Sequence, residues 1–311
     1  MSVRHAGSLA VLCAALASGA ACLPADTRPT PGSMLLLVTS DDQPSTTTVD
    51  GWSITVDRLM VGIGEAALLH PCDEYSEAHY LRVLDGRLIR DQKLNIMYGL
   101  GQCNFGFQII SPLRDAVLGE GVTEADLERM ASSASRQPGS VREDGIAVDF
   151  AATATRGGET MRVHWPFKQP TTYLPCARGT MKSPQTIALR SGEDLSFHIG
   201  LRGVALFSDN DLFLDDAGTP APATPALRFD PIAAADTTFG NADGEVTLDE
   251  LDDVPIKFAQ QFGPYLALPG LGGSFAIKLG DYVHVVLSHR LVSFREDVTC
   301  ATNIGSGRPP L

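Results

Sequence analysis

Mainly β, as an antiparallel β-sandwich with helical decorations, is the fold class this sequence predicts. Apolar and polar residues alternate at a period of two through most of the chain, and two such runs flank Arg156-Gly157-Gly158 at hairpin spacing. Only two stretches carry helical spacing instead. Strands with one covered face produce the first pattern, and two such faces pressed together bury it.

Taken in order, Met34–Thr39 is almost wholly aliphatic and reads as a buried strand. Trp52, Ile54 and Val56 alternate with Ser53, Thr55 and Asp57, as a half-buried strand does. Tyr80–Leu84 and Phe105–Ile110 continue the series. Ile146, Val148 and Phe150 face Met161, Val163 and Trp165 across the glycine turn, and Leu195, Phe197, Ile199 and Leu201 form a further strand. Thr123 caps the first helix, with Asp126 three residues on and Leu127 and Met130 as its apolar face. The second helix spans about 281–294 on a stripe from Tyr282 to Phe294, although 282–287 alone also fits a strand. Pro220–Pro225 marks a loop, with a subdomain boundary expected near 216–226.

The N-terminus has its own logic. Arg4 precedes an apolar run, Leu9–Ala17, then Ser18-Gly-Ala-Ala21 and Cys22. A basic start, a short apolar core and small residues are the parts of a secretory signal. The run falls short of the roughly 20 residues a membrane helix needs. With a cysteine after the small residues, the segment resembles a bacterial lipoprotein signal, although the family's usual Leu is replaced by Gly19. The resemblance implies lipid on Cys22 and placement in the cell envelope, as an outer-membrane lipoprotein. An ordinary cut after Ala20 or Ala21 is the competing reading. The expected organisation is a signal peptide over 1–21, a proline-rich tether over 22–33, a β domain over 34–300 and a flexible tail over 301–311.

Composition narrows the partners. Against 24 basic residues stand 37 acidic ones, a formal net charge of −13. Such a surface repels nucleic acid and anionic headgroups and suits cations. The membrane is therefore expected as a partner only through the N-terminal lipid; a protein or glycan partner is not specified. Of six cysteines, Cys13 leaves with the signal and Cys22 takes the lipid, so Cys72, Cys103, Cys176 and Cys300 remain. An even number in an oxidising compartment reads as two disulfides. Three pairings are open, and Cys72–Cys103 with Cys176–Cys300 is the expected one. Zinc ligation lacks the short Cys spacing it usually shows.

One segment carries chemistry. Residues 239–251 read Phe-Gly-Asn-Ala-Asp-Gly-Glu-Val-Thr-Leu-Asp-Glu-Leu. This resembles the EF-hand and dockerin-type calcium loop, a turn leading into a short helix. With Gly244 at the sixth position, the resemblance implies Asn241, Asp243, Glu245 (by its carbonyl), Thr247 and Glu250 as ligand positions, with Val246 packed inward. Phe239 stands where the family has aspartate, and Asp236 is the substitute if Thr237–Phe239 bulges out. No strong helix is expected before the loop. Calcium is accordingly the one cofactor expected.

Other candidates are weaker. His164 and His198 fall on the solvated faces of their strands, and His284 and His289, five apart, share no face of a strand or helix. His70 and His79 add no ligand spacing. Gly272-Gly-Ser-Phe-Ala276 lacks the last glycine of a nucleophile elbow. The adjacent pairs Asp215-Asp216 and Asp252-Asp253 diverge and read as surface solvation. The expected function is thus a non-catalytic, extracytoplasmic, lipid-anchored protein with a weak structural calcium site. The alternative is a copper or zinc binder using the histidines, and behind it an envelope hydrolase of the two-carboxylate kind.

Overall fold

The computed structural model describes residues 29–75, 80–133, 144–180, 183–209, 225–265 and 278–304. The signal segment, Cys22, His79, Asp215-Asp216 and Gly272–Ala276 lie outside the described residues. Eleven strands carry the architecture: β1 (Gly32–Ser40), β2 (Ser53–Leu69), β3 (Leu81–Asp85), β4 (Gln92–Ile109), β5 (Val148–Arg156), β6 (Glu159–Phe167), β7 (Thr171–Thr180), β8 (Asp194–Leu201), β9 (Glu245–Thr247), β10 (Val292–Phe294) and β11 (Val298–Ile304). Helices α1 (Glu124–Met130), α2 (Asp230–Thr238), α3 (Leu248–Asp253) and α4 (Leu279–Arg290) are set among them.

The protein is mainly β, as its alternation predicts. Its strands run in the order β9-β6-β5-β2-β4-β1-β8-β10 as one curled, mixed sheet. Most pairs are antiparallel, but β1–β8 and β6–β9 are parallel. The long strands β2 and β4 make the sheet continuous by changing neighbours along their length. β2 pairs with β5 over Ser53–Val61 and with β4 over Ile63–Leu69. Within the pairing with β4, a register shift between Gly64 and Ala67 contains Glu65 at a φ of +54°, as a β-bulge does. β4 likewise pairs with β1 at its start and with β7 at its end.

The hairpin forms where its sequence places it. Arg156 pairs with Glu159, and Gly157 and Gly158 both take positive φ, as the tight turn requires. β1 alternates rather than being buried on both sides: Met34, Leu36 and Val38 are fully covered, while Leu35 and Leu37 are partly open. Inside the curl, Trp165 meets Phe150 at 5.7 Å and Phe207 at 5.5 Å between ring centres, and Trp52 meets Phe229 at 5.0 Å. Full burial of such side chains contributes roughly 2–3 kcal/mol each.

Several boundaries differ from expectation. The C-terminal helix ends at Arg290, and Val292–Phe294 turns into a strand that pairs with β8. The β-branched and aromatic residues there satisfy both patterns, and the free edge of β8 decides. The expected tail begins as sheet, since residues 301–304 complete β11 against β7. Gly32 and Ser33, assigned to the tether, open β1. The subdomain boundary expected near 216–226 falls mostly outside the described residues. Both expected disulfides are formed, Cys72–Cys103 and Cys176–Cys300; the second pairs facing residues of β7 and β11. They indicate an oxidising, non-cytoplasmic compartment. No described helix is long and apolar enough to cross a membrane.

Candidate functional site

The calcium-like segment sits between two helices rather than after a strand. α2 precedes it directly, contrary to expectation. Pro231 pre-sets its first turn, and Asp50 caps it by accepting the amides of Phe229 (2.8 Å) and Asp230 (2.7 Å). The helix is pinned to the sheet at its start, where Asp230 accepts from the Trp52 indole at 2.9 Å and pairs with Arg156 at 2.7 Å. A helix of 9 residues is too short to hold in isolation, so these anchors supply what its length does not.

Thr237 and Thr238 do not bulge out; they finish α2, and Phe239 follows as its C-terminal cap and packs on Phe258. Asp236 nevertheless reaches the loop from the last turn of the helix. It is 2% exposed, and its two carboxylate oxygens accept the amides of Asp243 and Gly244, each at 3.1 Å. Gly244 takes a φ of +82°, the sharp turn assigned to it, and its carbonyl accepts the Arg162 amide of β6 at 2.9 Å. Asn241 Oδ1 accepts the Asp243 amide at 3.0 Å, and Asp243 Oδ1 accepts the Glu245 amide at 2.8 Å. Val246 is fully buried, as predicted, and its carbonyl accepts the Trp165 indole at 3.0 Å.

Thr247 and Glu250 form a capping box at the start of α3. Glu250 Oε2 accepts the Thr247 amide at 2.8 Å and hydroxyl at 3.1 Å, while Oε1 accepts the Asn241 amide at 3.3 Å. The six positions, from Asp236 at the end of α2 to Glu250 in α3, are therefore tied together by hydrogen bonds across the loop. Their chemistry fits a hard cation, which takes oxygen donors. Asp236, Asn241, Asp243 and Glu250 Oε1 each keep acceptor capacity. Gly240 lets Glu250 pack close against the loop, because a Cβ there would overlap Glu250 Oε1 and crowd the Asp236 carbonyl. Among the described residues, however, no three acidic, His or Cys groups already converge to metal-binding distance. A cation would have to draw the carboxylates together, with Glu250 contributing chiefly through Oε1 because Oε2 already serves the cap.

Beside the loop lies a cleft of about 540 Å³, walled by β6, the segment after it, α3 and α4. Register places His164 opposite Thr247 across the β6–β9 pairing. His164 is not simply solvated. Its Nε2 lies 3.0 Å from Asp149, a carboxylate with no exposure that also takes Arg58 at 2.6 Å. His284, on α4, lines the same cleft and stacks edge-on against Phe167; burial pushes its pKa down and favours the neutral ring. Asp252 also lines it. Partial burial, then the neighbouring Asp281, Asp249 and Asp253, push its carboxyl above the usual range. Sequence spacing correctly separates Asp252 from Asp253 but misses this crowding, which comes from α4 packing onto α3. His198 is elsewhere, held by Glu296 at 2.6 Å and 3.6 Å from Asp91.

Compared with family models, with curated proteins and with solved structures, the chain matches none.

Proposed function

We propose that this chain is a non-catalytic, extracytoplasmic protein, anchored by lipid on Cys22, whose loop from Asp236 to Leu251 takes up calcium weakly and thereby fixes α3 against the sheet. The observation that carries the calcium reading is the position of Asp236. It compensates for Phe239 by bringing a buried carboxylate to the loop's first corner, where it gathers two loop amides. The envelope reading is supported by the signal-like N-terminus and by two disulfides.

Asp236, Asn241, Asp243, the Glu245 carbonyl and Glu250 would hold the ion, with water completing the roughly 6–8 oxygens calcium prefers. Calcium supplies no reaction here, only cross-linking charge. Drawing the carboxylates together costs part of the binding energy, so affinity falls in the range of about 10⁻⁴–10⁻³ M known for extracellular modules. At several times that dissociation constant, calcium stabilises the fold by about 1 kcal/mol.

The test uses mature protein extracted from envelopes and melted with calcium, with magnesium and with chelator. Calcium is expected to raise Tm by a few degrees and magnesium by less, because magnesium dehydrates reluctantly. Glu250→Gln should remove most of that shift, and Asp253→Asn, outside the loop, should leave it. Equal melting curves in calcium and chelator would refute the calcium reading. A mature mass without acyl chains would refute the anchor.

A further inference from the structure

The cleft beside the loop has a chemical bias that the calcium reading does not use. Its walls are rich in acceptors. His164 Nε2 lies 3.0 Å from the Asp149 carboxylate, and in the neutral ring that donates there Nδ1 is an acceptor. Gln169 lines the cleft with a side-chain oxygen that is buried and has no hydrogen-bond partner among the described residues. Asp249 and Asp252 add two carboxylates, and Lys168 is the one lysine on the lining. Pro166 and Leu248 supply apolar surface between these groups.

The volume, about 540 Å³, falls inside the range of about 300–1,000 Å³ typical of small-molecule sites. We infer that this cleft binds a small organic cation with several N–H donors, of the aliphatic diamine or polyamine class. Ammonium groups would donate to Gln169 and His164 and neutralise Asp249 and Asp252, while the methylene chain lies along Leu248 and Pro166. An anion would meet two carboxylates against one lysine. A sugar could satisfy the acceptors but would leave the mutual repulsion of the carboxylates unrelieved.

Asp252 is positioned by close packing. A Cβ on Gly280, in the first turn of α4, would overlap its Oδ1, so the absence of a side chain there lets the carboxylate sit at the cleft's edge.

Isothermal titration calorimetry on the mature protein, in chelator and about 150 mM salt, separates this from general attraction to an acidic surface. The chelator removes calcium, so the result is independent of the loop. Spermidine should bind saturably. Asp252→Asn should weaken it about tenfold, and Lys168→Gln should tighten it about threefold. Both residues are exposed, so both variants should fold, which their melting curves check. Glu124→Gln, a charge removed from distant α1, should leave affinity unchanged. The inference is overturned if spermidine gives no saturable heat, if Glu124→Gln weakens it as much as Asp252→Asn does, or if glucose binds and spermidine does not.

Discussion

Glu250 and Asp252 stand two residues apart on α3 and meet opposite surroundings. Glu250 faces the loop, where backbone amides and a hydroxyl supply its carboxylate with donors. Asp252 faces the cleft, where its near neighbours are three more acids. Little more than half a helical turn separates an acid that closes the structure from an acid that the structure holds at a cost. The difference lies in what each face meets: the loop turns its N–H groups inward as a curved backbone does, whereas the start of α4 brings Asp281, which Lys278 only partly offsets. Carboxylates of the first kind hold a fold together. Those of the second kind mark where a positively charged partner would be stabilised.

The largest effect should come from removing the loop's buried acid. Asp236→Ala strips acceptors from two amides and opens a cavity at the end of α2, for a loss of about 4 kcal/mol. Urea denaturation measures it. A loss below about 1 kcal/mol would show that the loop amides find other partners and that the contrast with Asp252 is one of geometry alone.

Asp42 combines both conditions and so sharpens the comparison. It accepts the amides of Gly203 and Val204, at 2.6 and 3.2 Å, yet burial foremost, with Asp41 adding to it, raises its pKa from 3.8 to about 6. The folded state therefore holds its proton more tightly than the unfolded chain does. No penalty exists below pH 3.8; it grows as pH rises and is complete above about 6, where it reaches about 3 kcal/mol. Asp42→Asn should remove that pH dependence, leaving wild type the less stable of the two at pH 7.5 but not at pH 3.5. Parallel urea curves at the two values decide it. An unchanged difference between the proteins would mean that the amides outweigh burial, as the loop's amides do for Asp236.

The smallest expected effect is at the cleft. Asp252 is exposed, and replacing it with Asn should change stability by no more than about 0.5 kcal/mol, in the stabilising direction. Its carboxyl is raised like that of Asp42, so the gain should appear as pH climbs past the usual carboxylate range and vanish below it. Thermal melts at pH 4 and pH 7.5 would show this. A clear loss of stability at pH 7.5 would mean that Asp252 has a structural partner, and the cleft would no longer contrast with the loop.

Local chemistry was legible in the chain. Period-two alternation placed the strands around Trp52, Trp165 and Phe197, because a pleated strand sends successive side chains to opposite faces whatever it pairs with. Thr123 announced its cap, and Gly244 its turn, since each acts on backbone within a few residues. The even number of cysteines announced two bridges, and of three open pairings the favoured one is formed. Tertiary structure decided the rest. The parallel pairing of β1 with β8, and the crossing of β2 and β4 from one partner to another, depend on residues far apart in the chain. α2 exists because Asp50, Trp52 and Arg156 hold its start, and only their approach turns Asp236 into the loop's missing acid. The same holds for the cleft. His164, Gln169, Asp252 and His284 carry no common spacing, and their meeting arises where α3 and α4 pack beside β6. Burial and repulsion set what such groups can bind, and both are properties of neighbours that sequence order does not supply.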